Sequence, residues 1–157
     1  MKPTQIHDSE PSRPLPEKAI LPAEPFDLPC IRCGVCCTVY QVRIGPPEAR
    51  EIAESMGMEY WDWVGRYCDP RWSDPRSHLI RHDDDGCVFL DHSQREVALC
   101  RIYHTRPLAC RDWQAGVFKP ACHAGLKKVW HIGVDDSGQL QGTLEALSGF
   151  DGFLRLL

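Results

Sequence analysis

The sequence lacks any apolar run near the ~20 residues that a membrane-spanning helix needs, so a helical membrane protein is not expected. It also lacks an excess of positive charge. Its 18 Lys and Arg against 22 Asp and Glu leave a formal charge of −4, which argues against a nucleic-acid binder that works by phosphate neutralisation. The opening residues, Met1-Lys2-Pro3-Thr4-Gln5-Ile6-His7-Asp8, carry no apolar secretory stretch. A reducing, cytoplasmic setting is therefore expected. No internal repeat is visible, and no local signature pairs a cysteine nucleophile with a histidine base, although Cys110 with His104 and Cys122 with His123 lie near one another in sequence. What the chain has in excess is cysteine, nine in 157 residues. In a reducing compartment such residues read first as metal ligands. A disulfide framework would need oxidising surroundings and would leave one thiol unpaired.

Three segments follow from composition. Residues 1–29 hold seven of the 13 prolines and too few apolar groups to offset the entropy of ordering, so a disordered tail is expected, with Leu21 and Phe26 as its candidate packing residues. Residues 30–134 carry all the cysteines, and 135–157 form an extension with helical spacing at Leu144, Leu147, Phe150 and Leu154. Within the middle segment, Thr38 to Ile44 alternates like a strand. Gly45-Pro46-Pro47 opens a helix with Ala49, Ile52, Ala53 and Met56 on one face and Gly57 just past its end. A second helix aligns Tyr60, Trp63, Val64 and Tyr67; both stripes read as core rather than as a cofactor box. Leu79–His82 and Cys87–Leu90 suggest a hairpin around Asp83-Asp84-Asp85-Gly86, where Asp-Gly is a turn signal. The three aspartates lack the ligand alternation of a calcium loop. Val97 to Tyr103 reads as a further strand, and Thr105-Arg106-Pro107 as the start of a short helix carrying Cys110.

The first cysteine block is C-x2-C-x2-C-C: Cys30, Cys33, Cys36 and Cys37. A two-residue gap lets two thiolates turn toward one centre, and Gly34 permits the tight turn between them. Four thiolates around Zn²⁺ or a [4Fe–4S]²⁺ core leave a net charge of about −2. Arg32, Arg101, Arg106 and Arg111 lie beside cysteines and are natural counter-charges, unless they pair with surface acids such as Asp112. Neighbouring side chains diverge, so Cys36 and Cys37 do not readily serve one mononuclear site. Eight cysteines (30, 33, 36, 37, 87, 100, 110 and 122) could fill two four-coordinate sites, or four could hold one cluster while the rest are structural. Cys68, in a loop between aromatic residues, reads as a non-ligand. Spacing alone leaves zinc and iron open.

Taken together, Cys30-x2-Cys33-Gly34-x-Cys36-Cys37, Gly86-Cys87-Val88-Phe89-Leu90, Cys100-Arg101-Ile102-Tyr103, Arg106-Pro107-Leu108-Ala109-Cys110-Arg111 and Cys122 resemble the CxxCxxCC, or YkgJ-type, cysteine-cluster family of zinc- or iron-chelating domains. The resemblance spans about residues 30–122. It implies that these eight cysteines are ligands and that the cofactor is an iron–sulfur cluster or zinc. Some members of that family are labelled iron–sulfur oxidoreductases, and a related cluster occurs in flagellin lysine methylases. No glycine-rich strand–helix unit for S-adenosylmethionine, flavin or nicotinamide is visible in this chain.

The expected fold is a small, loop-rich, metal-stabilised α+β domain with short strands and two or three helices. The first functional expectation is an iron–sulfur metalloprotein with a redox or electron-transfer role and a protein redox partner. The alternatives are a zinc-stabilised interaction module without turnover and a metal carrier with a labile site.

Overall fold

The computed structural model describes residues 23–94 and 97–157. The part of the tail before residue 23, Leu21 included, lies outside the described residues. The α+β class stands. Among the described residues, three helices have eight residues or more, three are shorter, and the strands form four separate antiparallel pairs of two residues each.

The chain enters through Phe26, whose N–H bonds the Gly138 carbonyl at 2.9 Å, and Leu28, which is buried. Helix α1 (Val35–Val39) follows the cysteine knuckle. This corrects the strand expected over Thr38–Ile44, of which only β1 (Arg43–Ile44) pairs. The local reason is visible. Gly34 takes a left-handed conformation (φ 76°) that starts the helix, and the Thr38 hydroxyl donates back to the Val35 carbonyl at 2.8 Å. Local closure here outweighs β-propensity.

Helix α2 (Pro46–Ser55) starts where the prolines allow, with Glu48 in its first turn, and buries Ala49, Ile52 and Ala53; the acid suits the positive end of the helix dipole. Helix α3 (Tyr60–Tyr67) buries Trp63. Trp63 stacks on Phe89 at 6.2 Å, and Tyr67 meets Phe89 at 4.8 Å. These residues form a first core with Ile44, Ile80, Val88 and Ile102, as both stripes required.

Strand β2 (His78–Leu79) pairs with β1. The expected hairpin is present but shorter, as β3 (His82–Asp83) and β4 (Gly86–Cys87) around Asp84-Asp85, since Leu79 pairs instead with Arg43 and Leu90 with Cys100. The Asp83 carboxylate accepts the Asp85 N–H at 3.0 Å, so the acidic run serves turn geometry. Strand β5 (Leu90–Asp91) pairs with β6 (Leu99–Cys100). The strand expected over Val97–Tyr103 is thus confined to two residues, because the chain leaves its partner and bends into a 3-10 turn at Tyr103–Thr105.

Helix α4 (Leu108–Arg111) follows Pro107, and its Leu108 N–H is held by the Glu48 carboxylate. Helix α5 (Pro120–Gly125) runs into a π turn at Leu126–Trp130. Strands β7 (Gly133–Val134) and β8 (Leu140–Gln141) pair, and α6 (Leu144–Leu154) closes the chain. The Thr143 hydroxyl caps α6 by accepting the Ala146 N–H at 3.1 Å. Phe150 of α6 packs with Leu28, Ile31, Val117, Leu126 and Ile132 in a second core. Eight of the nine cysteines line the space between the two cores.

Candidate metal centre

A cavity of about 860 Å³ opens between the cores. Its lining includes Cys30, Cys33, Cys36, Cys37, Cys87, Cys100, Cys110 and Cys122, all eight of the cysteines singled out in the sequence. Arg32, Arg106 and Arg111 line it too, with Phe89, Ile102, Tyr40, Tyr103 and Trp113. Cys68 lies elsewhere. It is buried in the first core, where its backbone bridges Ile80, and burial pushes its thiol up to about 11.

Each cysteine is delivered by a short local device. Cys33 and Cys36 flank the left-handed turn at Gly34, and Cys36 and Cys37 are successive residues of α1, their sulfurs 3.9 Å apart. Cys87 ends β4, Cys100 ends β6, Cys110 sits in α4 and Cys122 in α5. Two glycines bring these devices together. A Cβ on Gly125 would overlap the Cys33 sulfur, so only a glycine lets that thiol rest on the backbone of α5. At Gly86 (φ 105°) a Cβ would stand 2.9 Å from the Cys37 carbonyl oxygen and 2.8 Å from Thr38 Cα, so β4 touches α1 main chain to main chain. Sequence reasoning read Gly86 as a turn residue only and gave Gly125 no role. Their signal is spatial: each faces a segment tens of residues away.

Burial holds Cys33, Cys87, Cys100 and Cys110 as thiols. Burial raises Cys33, with repulsion from Cys36, Cys122 and Cys30 adding to it. Burial raises Cys87 and Cys100, and pushes Cys110 up to about 12, where Cys87, Cys100 and Cys36 contribute. The exception is the adjacent pair. The Cys36 and Cys37 sulfurs share a proton across 3.9 Å, which lowers Cys36 to about 7 and raises Cys37. A metal ion that displaces such protons supplies in one step the positive charge that buried thiolates lack.

The arginines answer the charge. Arg101 donates to the Val88 carbonyl and favours the thiolate forms of Cys87 and Cys100. Arg106 does the same for Cys100 and Cys110. Its guanidinium lies 4.1 Å from the Tyr103 ring centre, and its Nε is buried with no hydrogen-bond partner among the described residues. Arg32 takes the other approach to that ring, at 5.0 Å, from a left-handed backbone (φ 51°). Among the described residues, none of the four arginines forms an ion pair. Arg111 lines the cavity and does not bridge Asp112.

This donor set fits a thiophilic metal. Cysteine sulfur selects zinc and iron–sulfur cores over harder cations, and an orphaned, buried N–H beside two thiols is a donor ready for a sulfur acceptor. Among the described residues, no three His, Cys, Asp or Glu side chains already converge on a single ion-sized point. A mononuclear zinc, with sulfurs ~2.3 Å from the ion, would require them to close in.

The CxxCxxCC family model, described as a putative zinc- or iron-chelating domain, matches residues 29–123, which is 95 of the 157 residues. The chain belongs to the CxxCxxCC family. The family's metal chemistry, zinc or iron, coincides with the donor set of the cavity. No curated protein and no solved structure matches the chain. The CxxCxxCC match covers the whole cavity-lining set of cysteines from Cys30 to Cys122 and ends two residues before Gly125. Among the described residues, no helix is long and apolar enough to cross a membrane.

Proposed function

We propose that this CxxCxxCC domain carries an iron–sulfur-type centre and serves redox or electron transfer with a protein partner in the cytoplasm. The observation that carries the reading is eight cysteines around one cavity of about 860 Å³, far more room than a lone ion needs. Cys30, Cys33, Cys36, Cys37, Cys87, Cys100, Cys110 and Cys122 are its proposed ligands. Bound iron and sulfide would supply a group that exchanges single electrons, which zinc does not. The protein's share is to hold the sulfurs, to offset their charge through Arg32, Arg101, Arg106 and Arg111, and to keep water off through Phe89 and Ile102. The alternative, a zinc-stabilised interaction module, is favoured by one observation: strands of only two residues leave little regular structure to hold the two cores together.

The experiment is anaerobic purification of the full chain without a histidine tag. Iron, zinc and acid-labile sulfide per chain are then measured with a visible spectrum of the same sample. Iron and sulfide with a broad band near ~400 nm are expected. A colourless protein containing zinc sinks the redox reading and leaves the interaction module.

A further inference from the structure

The eight cysteines are not spread evenly around the cavity. Cys33 and Cys122 pack with the second core, beside Ile31 and Leu126, whereas Cys87 and Cys100 pack with the first, beside Phe89 and Ile102. The two glycine contacts fall on the same two sides. Gly125, three residues beyond Cys122, receives the Cys33 sulfur, and Gly86, the residue before Cys87, presses on the carbonyl of Cys37. The remaining neighbours agree. Cys33 lies within electrostatic reach of Cys30, Cys36 and Cys122, and Cys37 within reach of Cys87 and Cys110. Cys110 in turn lies within reach of Cys87 and Cys100. Cys36 and Cys37, whose sulfurs stand 3.9 Å apart, join the two sets, and Cys36 also lies within reach of Cys33 and Cys110, as their place at the seam requires.

We propose that the cavity holds two separate four-cysteine metal centres, one on Cys30, Cys33, Cys36 and Cys122 and the other on Cys37, Cys87, Cys100 and Cys110. The division runs between the successive residues Cys36 and Cys37. On an α-helix, successive side chains point about 100° apart, so two sulfurs can stand close and still serve different centres. Arg106, four residues before Cys110, carries the orphaned Nε and lies within electrostatic reach of Cys100 and Cys110, so it is assigned to the second set. The first set has Arg32 within its own loop.

The proposal rests on the metal-binding reading but not on the choice of iron or zinc. Its test uses the full, metal-loaded chain. A chelator is added in steps, exposed thiols are alkylated at each step, and labelled cysteines are identified by mass spectrometry against the metal remaining per chain. Cys30, Cys33, Cys36 and Cys122 are expected to become labelled as one group, and Cys37, Cys87, Cys100 and Cys110 as another, each with loss of half the metal. One group of eight, or groups that mix the two sets, overturns the division. Variants give a second reading. Cys122→Ser and Cys110→Ser should each retain half of the wild-type metal. Adding Cys33→Ser to Cys122→Ser should remove no more, and combining Cys122→Ser with Cys110→Ser should remove all. If any single substitution empties the protein while its far-UV circular dichroism is unchanged, there is one centre. A wild-type chain that binds no metal overturns the metal-binding reading itself.

Discussion

The first core is assembled from a single stretch of chain, Ile44 to Ile102, and the second from three pieces, around Leu28, between Val117 and Ile132, and at Phe150. The first has two helices feeding one aromatic stack. The second depends on segments more than 100 residues apart, so closing it costs chain entropy that its contacts must repay. The difference shows where a metal matters. The cysteine cavity lies on the path by which the dispersed core is drawn to the compact one, so the dispersed core depends more on the site.

The sharpest way to break this asymmetry is to remove the metal. Amide hydrogen exchange is expected to lose protection over residues 117–132 while residues 46–67 stay protected; equal loss in both would show that the two cores are one cooperative unit. Next in size, Trp63→Ala should cost about 3–5 kcal/mol in a urea melt, because it empties the centre of the first core. The same loss is expected with and without metal, and a loss that vanishes in the metal-free protein would contradict the asymmetry. Gly125→Ala comes third. A helix gains up to about 1 kcal/mol from the exchange, but the overlap with the Cys33 sulfur should outweigh it at about 1–3 kcal/mol. Metal content should fall with it, and unchanged content would mean that the Cys33 contact is not needed.

Thr143→Ala removes the cap of α6 and should cost about 1 kcal/mol, read in the melting temperature of the second core. The smallest effect is the share of the pH dependence that His78 carries. Burial lowers the pKa of His78, whose Nε2 meets the Tyr60 hydroxyl at 2.6 Å. The unfolded chain therefore takes up this proton more readily, near its ordinary value of about 6.5. The stabilisation is complete above that pH and declines as pH falls toward the lowered folded value. His78→Gln should reduce, not abolish, the change in urea midpoint between about pH 7.5 and about pH 5.5, because burial lowers His82 too; a slope equal to wild type would assign the change to other groups.

Much of the first core was legible because its signals are local. Ala49, Ile52 and Ala53 repeat at helical spacing behind two prolines, and Trp63 sits in a second stripe. The eight cavity cysteines were legible as a set because thiols are rare and their spacing is distinctive. What was not legible depends on contacts across the chain. Tyr40 alternates with Val42 and Ile44 as a strand would, yet it stands outside the paired residues against Trp113, because the turn at Gly34 draws the preceding residues into α1. Val97 to Tyr103 shortened to two paired residues because its partner offers only Leu90 and Asp91. Gly125 carries no local mark at all, since its requirement comes from a sulfur 92 positions earlier.

Trp113 lines the cysteine cavity, with the Tyr40 ring 5.5 Å away and the Lys119 ammonium 4.4 Å from its own ring. Trp63 is buried at the centre of the first core, and Trp130 packs on the second against Phe150 and Phe153. Three of the chain's five tryptophans therefore sample the cavity, the first core and the second core, while Trp61 and Trp72 are exposed. A coloured centre would quench the emission of Trp113 most strongly, while loosening of the second core would shift that of Trp130 toward the red. Single-tryptophan variants thus give occupancy and packing as separate optical signals, without an attached dye.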